Sequence, residues 1–247
     1  CDPAGDLVSQ TNGITVFTGT FSTQISVIKQ KFAGRIRPGD IYMLNNPYEG
    51  GTHYNDVGVI KPIFIDDELF AFAISISHWT DIGGKSPGSL PADATEIFQE
   101  GICFPGIHIY KEGERQDAVF EIIAHNVRLP KMALGDLNAA LASVRIAEKR
   151  CLELCDKYGQ LAVKETFRHI LESSERVSRA AVAALPDGVY HAEDWVDGDG
   201  ISEERFPTHV EVRVAGDEIT FDYSGSCDQL QGPVNCSRSA LVSAVKT

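Results

Sequence analysis

The feature that most constrains the fold is a change of hydrophobic period along the chain. Between Asp40 and Ser77 apolar residues alternate or run in short blocks, which predicts strands at 41–44, 57–65 and 69–77. Asp66-Asp67-Glu68 then turns the last two strands into a β-hairpin. From about Ala118 to Leu185 the period becomes helical, with Val119, Ile122, Ile123 and Val127 at i, i+3, i+4 and i+8. Leu137, Leu141, Val144, Cys151 and Leu154 mark a second helix, and Gly159 separates it from a third bearing Leu161, Phe167, Leu171 and Val182. These stripes are expected to be core. After the Pro186-Asp187-Gly188 turn, strand character returns at 189–196, 208–214 and 218–223. Strands and helices grouped in separate runs predict an α+β fold, with mixed or largely antiparallel sheets, a helical block and a C-terminal β-rich unit. The expected division is an α+β domain over residues 1–185 and the start of a second, β-rich unit over 186–247.

Charge narrows the partners. Thirty-five Asp and Glu against 22 Lys and Arg leave a formal net charge of -13, and no basic stripe interrupts it. Such a surface repels phosphate backbones and anionic headgroups, so neither nucleic acid nor a membrane is an expected partner. The longest apolar run, around residues 69–76, is well short of the roughly 20 residues of a bilayer span. Six cysteines are sparse, and Cys151 and Cys155 lie one helical turn apart, which fits reduced core thiols and a cytoplasmic protein. The Asn235-Cys236-Ser237 sequon is read as a chance match. The first methionine is Met43, and residues 237–247 form a helical pattern without a Gly or Pro terminator, so a piece of a longer polypeptide is expected.

The residues that carry chemistry flank the first hairpin. Gly50-Gly51-Thr52-His53-Tyr54-Asn55-Asp56 places a His and an Asp three apart in a glycine-opened loop before a strand. Ser77-His78-Trp79-Thr80-Asp81 repeats the H-x-x-D spacing where the hairpin ends. If the two strands pair antiparallel, the start of one and the end of the other meet at one sheet edge, so His53, Asp56, His78 and Asp81 are expected to converge. Two imidazoles with one or two carboxylates suit zinc, manganese or iron(II), and are too nitrogen-rich for calcium or magnesium. A single H-x-x-D is commonplace and often structural. Two copies at the two ends of one hairpin are harder to explain that way.

Residues 83–106 are rich in Gly and Pro, a long irregular segment held by Ile97, Phe98, Ile102 and Phe104. Within it Glu96 is a candidate general base or further ligand, beside Thr95, Gln99 and Glu100. Asn126-Val127-Arg128 offers either polar groups for a substrate or a helix cap. His108, His169, His191 and His209 have no partner at ligand spacing and are read as structural. No G-x-G-x-x-G after a strand, G-x-x-x-x-G-K-[ST] or G-x-S-x-G occurs, so the chain shows no nucleotide or serine-hydrolase motif of its own.

Taken in order, Arg37-Pro38-Gly39-Asp40, Asn45-Asn46-Pro47-Tyr48, Gly50-Gly51-Thr52-His53 with Asp56, His78 with Asp81-Ile82-Gly83-Gly84, Pro87-Gly88-Ser89 and residues 95–101 closely resemble the hydantoinase B/oxoprolinase family. The match continues through Asn126-Val127-Arg128, Gly135-Asp136-Leu137, Asp222-Tyr223-Ser224-Gly225-Ser226 and Gly232-Pro233-Val234-Asn235. The resemblance implies the large, B-type subunit of an ATP-dependent hydrolase of cyclic amides, opening a hydantoin, 5-oxoproline or similar lactam. ATP would enter through a hydantoinase A-type subunit or domain that phosphorylates the substrate, making the enzyme a hetero-oligomer. Related subunits serve in acetone and acetophenone carboxylases, and a metal-stabilised assembly subunit without catalysis is a third reading. The family's metal site would fall on His53, Asp56 and His78. Asp81 would be another ligand or would orient His78, and Glu96 would transfer protons. Family members are usually far longer and carry an acidic residue in a segment ahead of Cys1, so part of the site is expected outside this sequence.

Overall fold

The computed structural model describes residues 1–11 and 13–246. The chain forms two compact units, one of residues 1–91, 96–163 and 236–247, the other of 92–95 and 164–235. This division runs through the third long helix, ahead of the 185/186 boundary expected from sequence, and it returns the C-terminal residues to the first unit.

The first unit is built on a five-stranded antiparallel sheet in the order β3-β2-β1-β4-β5. Its strands are β1 (Ile41–Leu44), β2 (Asp56–Ile65), β3 (Glu68–His78), β4 (Ile107–Lys111) and β5 (Glu114–Arg115). The β2–β3 hairpin lies where alternation predicted it. Its two turn residues, Asp66 and Asp67, have φ of 49° and 63°, the left-handed pair whose twist matches that of the strands. β1 inserts between β2 and β4, with Tyr42 opposite both Ile60 and His108.

Helices cover both faces of this sheet. α1 (Thr15–Thr18) and α2 (Phe21–Lys31) precede it. Ile25 and Ile28 of α2, with Phe32 just beyond, pack on Tyr42, Leu44, Ile60 and Phe72. Side chains alternate along β2, so its odd-numbered residues face the other way. There α3 (Asp117–Asn126) and α4 (Pro130–Tyr158) close the second layer, α4 burying Ala133, Leu137, Ala140, Leu141 and Val144. Lys61 of β2 meets Glu148 of α4 at 3.1 Å on that side. Burial on α3 falls on Phe120 and Ile123, and Val127 just past it is buried too, whereas Ile122 is exposed. α5 (Gln160–Ala183) departs further from expectation: Val163 is its buried residue, and Leu161 is 74% exposed. Phe167, Leu171 and Val182 of the same stripe are half-buried. α6 (Arg238–Lys246) forms where the final helical pattern was read, with Thr247 outside the described residues.

The second unit carries a three-stranded antiparallel meander, β6 (Gly188–Val196), β7 (Phe206–Ala215) and β8 (Glu218–Asp222). Tyr190, Val212 and Phe221 stand opposite one another on its apolar face. The architecture is therefore α+β with antiparallel sheets, as the grouping of periods predicted. No described helix is long and apolar enough to cross a membrane. No disulfide joins the described cysteines, and burial pushes the Cys151 thiol up to about 11.

Candidate metal centre

Register places the two ends of the hairpin against each other. Asp56, the first residue of β2, pairs directly with His78, the last of β3, so both side chains leave the same face of the sheet. His78 Nδ1 lies 2.7 Å from Asp56 Oδ1. The other Asp56 oxygen accepts the Thr52 hydroxyl at 2.5 Å, and the Asp56 side chain is only 7% exposed. His53 reaches the same point from the preceding turn, which closes when Asp56 N–H donates to His53 O at 3.0 Å. The His53 and His78 rings lie nearly parallel, at 14°, with centroids 6.1 Å apart.

Backbone approach dictates this loop's glycines. Gly50 takes φ 94°, and a Cβ on Gly51 would fall 2.7 Å from Asn45 O and 2.8 Å from Asn46 O, far inside van der Waals contact. Two buried asparagines then fix the loop on either side. Asn55 Nδ2 donates to Trp79 O at 2.8 Å, while Trp79 N–H donates to Asn55 O at 2.8 Å, which clamps the residue after His78. Asn45 Nδ2 donates to Tyr54 O at 2.6 Å and to Ile102 O at 2.9 Å, and its Oδ1 accepts Phe104 N–H at 2.7 Å. One side chain thus ties the His53 loop to the segment after Glu100.

The donor atoms of His53, Asp56 and His78 lie within 4.8 Å of one another, the one group of three or more metal-binding side chains among the described residues. Burial pushes the His53 imidazole below its ordinary range; Asp56 opposes the shift and His78 adds to it. A neutral ring keeps a lone pair for a metal. These residues fit a divalent ion: two borderline nitrogen donors, a carboxylate already oriented by a hydroxyl, and partial shelter from solvent.

Asp81 does not join them. Its carboxylate is buried and accepts Arg128 N–H at 2.9 Å, Gly83 N–H at 3.1 Å, Gly88 N–H at 3.2 Å and Arg128 Nη1 at 3.0 Å. Arg128 continues to Gly83 O and Gly84 O, at 3.1 and 2.7 Å. The second H-x-x-D therefore gives its histidine to the cluster and its aspartate to a loop knot, and Arg128 caps that knot. Asp56, opposite in the sheet, is the carboxylate that touches His78.

Glu96 is exposed at the start of the 3₁₀ turn Ile97–Gln99. The glutamate beside the cluster is Glu100, whose Oε2 lies 3.7 Å from His53 Nε2. Burial pushes its carboxyl up. Gly84, at φ 80°, lets that segment approach: a Cβ there would fall 2.5 Å from Gln99 O. Thr52, Asn45, Asn55 and Glu100 all stand in the blocks read from sequence. Spacing alone gave no reason to choose them, because each acts on a residue brought close by folding.

Comparison with known proteins identifies the family. The family model described as hydantoinase B/oxoprolinase matches residues 1–247. The B-type subunit of a putative D-/L-hydantoinase from Pseudomonas sp. (strain NS671) is 36% identical over 203 residues, covering 80% of this chain and 34% of its own length. The acetophenone carboxylase delta subunit of Aromatoleum aromaticum is 28% identical over 240 residues, which cover 96% of this chain and 35% of its own. The crystal structure of the ATP-dependent caprolactamase from Pseudomonas jessenii superposes with a TM-score of 0.92 at 27% identity, covering 99% of this chain and 42% of that one. The chain thus spans between a third and a half of the length of these relatives. With a model match along its whole length, a shared fold and the ordered sequence blocks around His53 and His78, the chain belongs to the hydantoinase B/oxoprolinase family.

Proposed function

We propose that this chain is the B-type part of an ATP-dependent cyclic amide hydrolase, opening a hydantoin, 5-oxoproline or similar lactam after a hydantoinase A-type partner has phosphorylated it. The observation that carries the reading is the convergence of His53, Asp56 and His78 within 4.8 Å at one end of the hairpin. A zinc, manganese or iron ion held by these three would polarise a bound carbonyl and acidify a bound water. The chain's own residues prepare the place for it. Thr52 and His78 hold the Asp56 carboxylate, while burial favours the neutral form of the His53 ring. The Asn45 and Asn55 clamps keep both histidine-bearing segments at fixed separation. The Asp81–Arg128 knot braces the loop leaving His78. ATP use is assigned to the partner, because the sequence offers no phosphate-binding loop.

The similarity to an acetophenone carboxylase subunit supports a second reading, a ketone carboxylase subunit. Metal content by plasma emission spectroscopy comes first, on protein purified without chelator and on the His53→Ala, His78→Ala double variant. Near-stoichiometric metal in the former and none in the latter is expected. Turnover of the complex with its partner then separates the reactions. ATP-dependent release of an amino acid from a lactam, abolished by His78→Ala, supports the hydrolase. A requirement for bicarbonate and a ketone transfers the assignment to the carboxylase. Undiminished turnover by His78→Ala would leave the chain an assembly subunit.

A further inference from the structure

Glu100 enters the neighbourhood of His53 from a segment separate from both H-x-x-D blocks. The two side chains are 18% and 26% exposed, with His53 Nε2 and Glu100 Oε2 3.7 Å apart. Among the described residues no other ion pair or hydrogen bond reaches that carboxylate. A carboxylate withdrawn from water is costly unless a neighbour supplies a proton or a charge. His53 is the neighbour in position to do so.

The backbone around Glu100 is pinned on both sides. Glu100 N–H donates to Ile97 O at 3.0 Å, Lys85 N–H to Gln99 O at 2.8 Å, and Ile102 N–H to Ile82 O at 2.9 Å. Asn45, which holds Tyr54 O next to His53, also holds Ile102 O two residues past Glu100. The facing pair is therefore set by a shared buried anchor, and a surface glutamate drifting near a histidine would have no such support. At 3.7 Å the atoms are just beyond hydrogen-bond range of about 2.7–3.2 Å. Closing that gap takes a side-chain adjustment of under about 1 Å, without backbone movement.

We propose that Glu100 is a positioning residue of the metal centre: its carboxylate accepts the proton on His53 Nε2, fixing the ring and leaving Nδ1 for the metal. Carboxylates in this relation to a ligating histidine set its tautomer and raise its basicity. The role rests on the metal-site reading above, and it gives Glu100, in place of Glu96, the work of the acidic residue in the 95–101 block.

Metal affinity tests it, read by competition between the complete protein and a chromophoric zinc chelator. Glu100→Gln is expected to weaken zinc binding about 10- to 100-fold, with Glu100→Asp intermediate and the exposed β5 control Glu114→Gln at the wild-type value. The thermal midpoint of each metal-free variant shows that the fold is retained. Unchanged affinity in Glu100→Gln overturns the proposal, while the metal site itself stands. Loss as complete as in His53→Ala makes Glu100 a direct ligand and also overturns it. Should Glu100→Gln fail to fold, Glu100→Asp decides, because a carboxylate shortened by one methylene must cost affinity if its reach to Nε2 matters. Absence of zinc binding in the wild type overturns the metal reading and this one together.

Discussion

Burial alone would raise the Asp81 carboxyl, yet hydrogen bonds from Arg128 N–H, Gly83, the Arg128 guanidinium and Gly88 hold it below its ordinary 3.8. A carboxylate whose value is depressed on folding stabilises the native state above its unfolded value, and that contribution fades as pH falls through the folded one. Asp81→Asn keeps the shape and removes the charge. It should cost about 2 to 4 kcal/mol at pH 7 by urea unfolding, below the cost of a fully buried pair because Arg128 is 38% exposed. The gap between variant and wild type should then narrow steadily below pH 3.8; a gap independent of pH would rule out the charge as its cause. At this scale the site was legible in part. His53, Asp56 and His78 could be read because local spacing and one hairpin register suffice to unite them. Asp81 carries the same spacing, but its partner Arg128 lies 47 residues away and was visible only as a polar residue near a helix end.

Between elements, the docking of α4 on the hairpin includes an ionic contact. Lys61 sits in β2 with its side chain 7% exposed and pairs with Glu148 at 3.1 Å, on the same face that α4 covers with Leu137, Leu141 and Val144. Removing one partner strands a desolvated charge, so Glu148→Ala should cost about 3 kcal/mol. Lys61→Met, which replaces the charge by a chain of similar length, should be neutral or stabilising. Chemical denaturation of both variants checks the pair, and a Lys61→Met loss as large as that of Glu148→Ala would contradict this account. Elements with a sustained period were legible: the β2–β3 hairpin, the first half of α4 and the β6–β8 meander. α2 and β4 were not. α2 buries Gln24 beside Ile25 and Ile28, which blurs its stripe, and β4 has five residues straight after a Gly- and Pro-rich segment. α5 shows the converse: along its clear apolar stripe Leu161 is exposed, and Phe167, Leu171 and Val182 are only half-buried.

Across the whole of the first unit, residues far apart in sequence meet at the candidate site. Ser237 Oγ donates to Gly51 O at 2.9 Å, and Ser243 Oγ, fully buried, donates to Val16 O at 2.5 Å. α6 thereby bridges α1 and the glycine loop beside His53, closures over 227 and 186 residues that no local pattern announces. The hinge of this arrangement is Gly19. Its φ of -65° suits any residue, so the constraint on it is steric. A Cβ there would fall 1.9 Å from Ser243 Oγ and 2.9 Å from Ser243 Cα, so helix backbone as well as a side chain would have to move. Gly19→Ala should therefore detach α6, while the hairpin, whose core lies between α2 and α4, stays folded. Amide hydrogen exchange checks both halves of this: protection at 238–246 should fall by at least an order of magnitude, with 57–63 and 70–76 unchanged. If α6 also steadies the Gly50–Gly51 turn through Ser237, zinc affinity measured on Gly19→Ala and on Ser237→Ala should drop in the same direction, by more in the former. Loss of α6 protection with unaltered affinity in both variants would confine α6 to packing and leave the candidate metal ligands positioned by the sheet and the two asparagines alone.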